Sequence, residues 1–283
     1  MKDVKYFAAS SLEEAKALLS EYGCRATVLA GGTDLVPKIN YYSFIPDVLV
    51  YIGGLPMDYI KEERGKIFIG ACTPTARLAT SDLLAEKAPA LREAARLSGS
   101  GAIRTTATIG GNLVNASPAA DLATPLLAMD AEVKLEQAGQ TRTLPLKDFF
   151  EGSGKTALKP EELLTEIVIP VPRGRTAFLK LGRRKALTLS IMNAAAMVVQ
   201  VGDTVETARI AVGAMAPAPM RCTMAESMLA GKKLDQKLID ECAERAISET
   251  SPIDDQRASA WYRRLAGKAM VARALGLAAG LSS

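Results

Sequence analysis

Apolar residues recur at regular intervals over the first 170 positions, and their spacing predicts a mixture of helices and short strands. A helical stripe follows Ser11, which with Glu14 matches a capping box, and Gly23 is the expected end of this helix. A second helical pattern covers 75–97, with Pro89 suited to a first helical turn. Residues 98–111 are mostly small, and we expect a loop there. Short apolar runs predict strands, the first of them buried, at 25–30, 48–52, 66–71, 132–136, 141–144 and 162–170.

A domain boundary is predicted at 170–175, where two prolines, a glycine and two arginines occur within six residues. Beyond it the pattern changes to three strand-like runs followed by two helical runs. The strand-like runs are 176–182, 191–201 and 205–215, and the helical runs are 222–248 and 256–279. Strands followed by segregated helices are typical of a small α+β domain. The sequence therefore predicts an α+β protein in two parts, residues 1–171 and 172–283.

The amino-acid composition excludes several classes of protein. Of 283 residues, 48% are hydrophobic and 23% are charged, which is enough for an ordinary buried core. The 35 Lys and Arg against 31 Asp and Glu give a net charge of +4, and no basic stripe with interleaved aromatics indicates nucleic acid. The N-terminus lacks the apolar run of a signal peptide, and the most apolar later stretch, 189–201, is too short to cross a bilayer. We expect a soluble, cytoplasmic protein with no membrane insertion.

Histidine is absent, which removes imidazole from the available nucleophile pairs, metal ligands and general bases. The four cysteines, Cys24, Cys72, Cys222 and Cys242, are too far apart for a C-x-x-C motif, and we expect them to be buried, reduced thiols. We therefore predict no metal site and no catalytic residue set. Demanding chemistry would have to come from carboxylates, Lys, Tyr or a bound cofactor.

Two segments with paired glycines carry most of the chemical information. Residues 28–35 read VLAGGTDL and residues 107–114 read ATIGGNLV, so each places Gly-Gly after an apolar run. Glycine permits positive φ and carries no Cβ to keep a ligand from the backbone, so successive N–H groups can form a nest for an anion. Two facing nests could hold the two phosphates of a pyrophosphate, with Thr33 and Thr108 adding hydroxyls at the rim. The alternative is two ordinary tight turns.

Two other glycine-rich stretches fail the common nucleotide-binding patterns. The stretch 152–156 lacks the leading glycine of a P-loop, and 99–104 lacks the third glycine of the dinucleotide fingerprint. We expect surface turns at both. A bound nucleotide would therefore be held by something other than these two motifs.

Six segments resemble the FAD-binding medium subunit of molybdenum hydroxylases, the xanthine dehydrogenase and carbon monoxide dehydrogenase family. They are LAGGTDL (29–35), IRTTATIGGNLVNASPAADLATPLLAMDAEV (103–133), LKPEELLTEIVIP (158–170), FLKLGRRKALTLS (178–190), VGAMAPAPMRCTMAESMLAG (212–231) and YRRLAGKAMVARAL (262–275). The resemblance implies an FAD domain of the PCMH or vanillyl-alcohol-oxidase type, with sub-parts of about 1–55 and 56–171. It also implies a small C-terminal α+β domain with a three-stranded antiparallel sheet and helices.

The resemblance also implies a set of FAD-binding positions. They are Leu29, Ala30, Gly31, Gly32, Thr33, Asp34 and Leu35 in the first glycine segment, Thr108, Ile109, Gly110, Gly111 and Asn112 in the second, and Asp121, Leu164 and Lys180 elsewhere. Asp121 would accept hydrogen bonds from ribose hydroxyls, or alternatively cap the helix that follows it. Lys180 would lie near the isoalloxazine, or alternatively be a solvated charge on a strand edge. Arg183 and Arg184 could steer an acceptor or partner, or form an exposed basic turn.

The family further implies partners and a role. A large subunit would carry the molybdenum–pterin site and a small subunit two two-iron clusters, in a dimer of heterotrimers. This chain would pass electrons from the clusters through FAD to an external acceptor. Neither the insertion nor the grouped cysteines of a four-iron branch occur here, and Ser98 or a small neighbour replaces an aromatic near the flavin, which leaves NAD as acceptor open. The alternatives are a self-sufficient flavin oxidase, a nucleotide-binding module without redox function, and a plain scaffold subunit.

Overall fold

The computed structural model describes residues 3–41, 43–184 and 187–281. Lys185 and Ala186, within the resemblance segment 178–190, lie outside the described residues. The strands are β1 (Lys5–Ala8), β2 (Ala26–Leu29), β3 (Val48–Tyr51), β4 (Ile60–Glu63), β5 (Lys66–Gly70), β6 (Glu132–Gln137), β7 (Gln140–Pro145), β8 (Phe150–Gly152), β9 (Lys155–Thr156), β10 (Leu163–Pro170), β11 (Arg175–Leu181), β12 (Met192–Val201), β13 (Thr204–Gly213) and β14 (Met220–Arg221). The helices are α1 (Leu12–Tyr22), α2 (Leu35–Asn40), α3 (Thr75–Thr80), α4 (Asp82–Lys87), α5 (Pro89–Leu97), α6 (Gly101–Thr106), α7 (Ile109–Val114), α8 (Ala123–Ala128), α9 (Thr223–Ser227), α10 (Gln236–Ser248) and α11 (Ala260–Ala279).

The N-terminal sheet is parallel, with strand order β1-β3-β2, and α1 packs against it. The predicted first helix is confirmed, because the Ser11 side chain accepts a hydrogen bond from the Glu14 N–H at 3.1 Å. The Glu14 carboxylate accepts from the Ser10 N–H at 2.7 Å, one residue before the position a capping box requires. Leu18 and Leu19 are buried and contribute to the core that this sheet shares with Leu163.

A five-stranded antiparallel sheet follows, with strand order β4-β5-β10-β6-β7. Its central strand β10 is buried along most of its length, which explains why its sequence is apolar except at Thr165 and Glu166. The pairing of β10 with β6 shifts register between Leu164 and Glu166. At this bulge the Thr165 carbonyl accepts from the Ala71 N–H at 3.0 Å, and the Ala71 carbonyl accepts from the Gly110 N–H at 2.9 Å. These two successive hydrogen bonds therefore hold Gly110, in the second glycine segment, against the bulge of the sheet.

The prediction of a loop at 98–111 is wrong, because this region contains α6 and the start of α7. Glycine, serine and threonine are weak helix formers, and no apolar period marks either helix in the sequence. Both begin at a side-chain cap: the Ser100 hydroxyl accepts from the Ile103 N–H at 3.0 Å, and the Thr108 hydroxyl from the Gly111 N–H at 3.1 Å. The helical pattern over 75–97 is confirmed as three short helices, with Pro89 at the start of α5.

The C-terminal part is an antiparallel sheet covered by α9, α10 and α11. The three predicted strands are present as β11, β12 and β13, and a two-residue strand, β14, adds a fourth. A strand of two residues is too short to show an alternating apolar pattern, so the sequence did not predict it. The predicted helical run 222–248 is interrupted between α9 and α10, and the run 256–279 is confirmed as α11, which begins at Ala260.

The two parts share a core, because Phe178, Ala195 and Ala211 of the C-terminal sheet pack with α5 and α8. Ion pairs reinforce this contact: Asp130 accepts from Arg209 at 2.9 Å and from Arg221 at 2.5 Å. None of the described helices is both long enough and apolar enough to span a membrane.

Candidate functional site

Both glycine segments line a cavity of about 360 Å³. The whole stretch from Leu29 to Leu35 lines one side, and Thr108, Gly110, Gly111 and Asn112 line the other. Leu164, at the bulge of β10, contributes to the wall. The structure therefore brings together twelve of the fifteen predicted positions, since Ile109 is fully buried in the core and Asp121 and Lys180 do not line the cavity.

Backbone contact between the two segments explains the first glycine pair. A Cβ on Gly31 would lie 1.9 Å from the Thr106 carbonyl oxygen, so a larger residue could not occupy this position without moving α6. Gly32 has φ of 70°, a left-handed conformation that favours glycine. The pair is thus required by both close approach and backbone conformation. The chain then turns directly into α2, where the Val36 N–H donates to the Gly32 carbonyl at 2.9 Å.

The two glycines of the second pair have different environments. A Cβ on Gly110 would lie 2.8 Å from both the Cβ and the carbonyl oxygen of Ala71, inside the protein. A Cβ on Gly111 would meet only the Thr108 hydroxyl oxygen, at 2.9 Å. Gly110 therefore serves helix packing, whereas Gly111 keeps the cavity wall free of a side chain.

The two glycine segments differ in whether their N–H groups have partners, and the second does not have the free amides that two facing nests would require. Among the described residues, no protein acceptor takes the N–H groups of Gly31, Gly32 and Thr33. In the second segment the N–H groups of Ile109 and Gly110 donate to the Thr73 and Ala71 carbonyls at 3.0 and 2.9 Å. Those of Gly111 and Asn112 both donate to Thr108, at 3.1 and 3.0 Å. The first segment thus presents free donors, whereas the second presents side chains.

One polar atom of the second segment lacks a partner. The Asn112 side-chain oxygen is buried and accepts no hydrogen bond from any described residue. A buried acceptor without a donor costs about 1–3 kcal/mol, and a ligand donor would recover this free energy once the Asn112 side chain turned its oxygen towards the cavity. Free amide donors on one side and an unpaired acceptor on the other fit a ligand with anionic and hydroxyl groups.

The remaining wall is apolar. Val28, Ile52, Leu158 and Leu163 complete it, together with Leu29 and Leu164. The strand β2 was expected to be buried, but all four of its residues are only half-buried because it borders the cavity. A cavity with polar donors at one end and aliphatic walls elsewhere suits a nucleotide that combines phosphates with flat rings. The residues present therefore fit a dinucleotide such as FAD.

Lys38, Asn115 and Gly154 are among the cavity-lining residues that the sequence did not identify. Lys38 and Asn115 are joined across the cavity by a hydrogen bond of 3.3 Å, and Gly154 comes from the β8–β9 hairpin. Lys38 lies in the last turn of α2, a six-residue helix that no periodicity predicts. Gly154 falls in the stretch dismissed as a P-loop, which does form a mostly exposed hairpin turn.

Asp121 and Lys180 form a separate buried network. The Lys180 ammonium donates to Asp121 Oδ2 at 2.6 Å and to the Leu97 carbonyl at 3.0 Å. Asp121 Oδ1 accepts from the Ser190 hydroxyl at 2.6 Å and from Asn193 Nδ2 at 3.1 Å. Two alternatives are therefore wrong. Asp121 does not cap α8, whose first position has no side-chain cap, and the Lys180 side chain, only 4% exposed, is not solvated.

The remaining candidates lie outside the cavity. Arg183 and Arg184 are in an exposed turn, where the Arg184 guanidinium donates to the Leu187 carbonyl.

Burial raises the pKa of the Cys72 thiol to about 11 and that of Cys242 to about 12, so both stay protonated at neutral pH. Cys24 is exposed, contrary to expectation, because it lies in a 3₁₀ turn after α1. In the described part of the chain, no cluster of three Cys, Asp or Glu could hold a metal ion.

The fold and the cavity define a class: a two-part dinucleotide-binding domain joined to an α+β domain with an antiparallel sheet. Residues 2–172 match the family described as the FAD binding domain in molybdopterin dehydrogenase. Residues 177–278 match the CO dehydrogenase flavoprotein C-terminal domain.

Individual relatives agree with these family matches. The glyceraldehyde dehydrogenase medium chain of Sulfolobus acidocaldarius is 32% identical over 273 residues, which cover 96% of this chain and 97% of the relative. The nicotinate dehydrogenase FAD-subunit of Eubacterium barkeri is 37% identical over 249 residues, covering 85% and 84%. A chain of the reconstituted CO dehydrogenase from Oligotropha carboxidovorans superposes with a TM-score of 0.95 at 32% identity, covering 99% of both chains.

The chain therefore belongs to the family of FAD-binding subunits of molybdenum hydroxylases, which are oxidoreductases. The resemblance seen in the sequence and the predicted α+β fold class are both confirmed.

Proposed function

We propose that this chain is the electron-transfer flavoprotein of a multi-subunit molybdenum hydroxylase. It receives electrons from iron–sulfur clusters and passes them through FAD to an external acceptor. The observation that carries this proposal is the cavity lined by both glycine segments, whose lining residues include Gly31, Gly32 and Thr33 with free N–H groups and Asn112 with an unpaired side-chain oxygen. Family membership supplies the cofactor that such a cavity would hold.

The first glycine segment would bind the FAD pyrophosphate, because hydrogen bonds to charged oxygens contribute about 1.5–3 kcal/mol each. Leu164 and the neighbouring aliphatic residues would exclude water and contact the rings. Bound FAD supplies a centre that exchanges electrons one or two at a time. The residues of this chain would hold that centre and shield it from water.

Asp121 and Lys180 contribute to this function without lining the cavity. The Asp121 carboxylate already accepts three hydrogen bonds from protein donors, is buried and does not line the cavity. Lys180 instead connects the C-terminal sheet to the Leu97 carbonyl, at the end of α5. We infer that the pair fixes the two domains around the cofactor.

The proposed assembly contains a large molybdenum–pterin subunit and a small subunit with two two-iron clusters, arranged as a dimer of heterotrimers in the cytoplasm. Hydroxylation would occur at molybdenum, outside this chain. The lack of histidine in this chain agrees with hydroxylation taking place on another subunit.

The test is co-purification of the tagged chain from its native host, with an absorption spectrum and identification of the bound subunits. We expect flavin absorption together with a molybdenum subunit and an iron–sulfur subunit. Flavin without partners would instead indicate a self-sufficient flavin oxidoreductase. A colourless protein that takes up no added FAD would contradict the proposal and leave a nucleotide-binding or scaffold function.

A further inference from the structure

Lys38 occupies a position across the cavity from the second glycine segment. It lies in the last turn of α2, and its ammonium donates to the Asn115 side-chain oxygen at 3.3 Å. Asn115 ends α7, where its N–H donates to the Gly111 carbonyl at 3.0 Å. A single side-chain contact thus joins segments that are 77 residues apart in sequence.

The charge of Lys38 is not neutralised by this contact. Its partner is a neutral amide, and in the described part of the chain no carboxylate forms an ion pair with it, including the cavity-lining Asp34 one turn earlier. Among the described residues that line the cavity, Lys38 is also the single cation. An exposed ammonium with an amide partner keeps two N–H donors and its full charge for a ligand.

The free amides of the first segment lie on the wall of the same cavity. Backbone N–H groups supply hydrogen bonds but only partial charges, whereas a diphosphate carries full negative charges. A nest that binds such an anion is completed by a mobile cation at its edge. The four-carbon side chain of lysine allows the ammonium to move from Asn115 to a phosphate oxygen without any change in the backbone.

We propose that Lys38 is the side-chain cation that binds the diphosphate of FAD and that Asn115 holds its ammonium at the cavity edge. This inference rests on the proposed function, because it names a residue for the same site. If Lys38 served only to bridge the two segments, its removal would lower the stability of the protein and leave the affinity for FAD unchanged.

The experiment compares FAD binding by the full-length chain and its variants after removal of the cofactor. Quenching of FAD fluorescence gives the Kd at low and at high salt for the unaltered chain and for Lys38→Gln, Lys38→Arg and Lys237→Gln. Lys237 is the matched control, since it is an exposed lysine on α10 of the C-terminal domain. Thermal unfolding of each apoprotein checks that the variants fold.

We expect Lys38→Gln to weaken FAD binding about tenfold, the lower end of the range for a charged hydrogen bond, because Lys38 is exposed. The loss should be largest at low salt and shrink at high salt. Lys38→Arg should restore most of the affinity, and Lys237→Gln should leave it unchanged.

An unchanged Kd for Lys38→Gln at low salt would overturn the inference while leaving the proposed function intact. A weaker Kd that Lys38→Arg does not restore would also overturn it, because the effect would then not depend on charge. Failure of the unaltered chain to bind FAD would instead remove the proposed function, and this inference with it.

Discussion

The ammonium of Lys180 lies 2.6 Å from the carboxylate of Asp121, and both side chains are almost fully buried where the two domains meet. Asp121 belongs to the loop before α8, and Lys180 to β11 of the C-terminal sheet. Asn193 extends the network, because its side-chain oxygen accepts from the Thr124 hydroxyl at 2.6 Å. Lys180, Asp121 and Asn193 therefore each form hydrogen bonds across the contact between the two domains.

Removal of one member of the Lys180–Asp121 pair should destabilise the protein strongly. In Lys180→Met the Asp121 carboxylate stays buried without its cation, and such losses cost about 3–5 kcal/mol. The free energy of unfolding, measured with denaturant, should fall by about this amount. Lys233→Met is the control, since Lys233 pairs with Asp203 at the surface and should change stability by no more than about 1 kcal/mol.

The double variant Lys180→Met with Asp121→Leu tests whether the loss of stability in Lys180→Met comes from the unpaired charge or from altered packing. Because it removes both charges, it should be more stable than Lys180→Met alone. Equal stabilities for Lys180→Met and the surface control would contradict the assignment of a buried interdomain ion pair.

Gly110→Ala and Gly111→Ala should give different results although the two residues are neighbours. A methyl on Gly110 meets backbone and side-chain atoms of Ala71, so we expect a loss of about 1–3 kcal/mol of stability in the apoprotein. A methyl on Gly111 meets only the Thr108 hydroxyl and enters the cavity wall. Gly111→Ala should therefore retain the stability of the apoprotein and lose affinity for FAD.

Thermal unfolding of the apoproteins and fluorescence titration with FAD test this difference. Normal flavin content in Gly111→Ala would show that this position does not contact the cofactor. A stable Gly110→Ala apoprotein would show that α7 can move away from Ala71.

The elements that the sequence predicts well include those whose stability comes from a periodic apolar face. The amphipathic α1 is of this kind, whereas β10 is recognised by its mostly apolar sequence and by Pro170 at its end; both appear close to their predicted bounds. Helices α6 and α7 could not be predicted, because their residues lack a periodic apolar face and their starts depend on the Ser100 and Thr108 caps.

At the site, glycine chemistry and the family resemblance together identified the segments that line the cavity. They could not show which amides stay free, because this depends on Ala71 and Thr73, which sheet pairing brings next to the second segment. Nor could they find Lys38, whose importance comes from a contact with Asn115 that only the folded chain creates. Long-range contacts of this kind leave no local pattern in a sequence.

The interdomain contact at Asp130 should weaken in acid. Burial alone would raise the pKa of this carboxyl, but hydrogen bonds and charges from Arg209 and Arg221 hold it below its ordinary value of 3.8. A carboxyl with a lowered folded-state pKa contributes stability that is present above the unfolded-state pKa. That contribution is lost as the pH falls through the lower, folded-state pKa.

Thermal unfolding of the unaltered chain and of Asp130→Asn, followed from about pH 7 to about pH 2, tests this expectation. Asparagine tolerates the left-handed backbone at position 130, where φ is 51°, so the variant removes charge with little added strain. At neutral pH the variant should be less stable, and the difference should shrink below about pH 4. A constant difference across this range would exclude the Asp130 charge as its source.

Asn112→Ala should affect the free and the FAD-bound protein in opposite directions. In the free protein the buried Asn112 oxygen has no donor among the described residues, so its removal relieves a cost of about 1–3 kcal/mol, reduced by the packing that is lost. In the complex we expect the Asn112 side chain to turn towards the cavity, where a donor from the cofactor would satisfy the same oxygen. The apoprotein of the variant should therefore unfold at the same or a higher temperature, while its Kd for FAD rises. If apoprotein stability and FAD affinity both fell, Asn112 would be an ordinary structural residue, and an unchanged Kd would place the cofactor away from this oxygen.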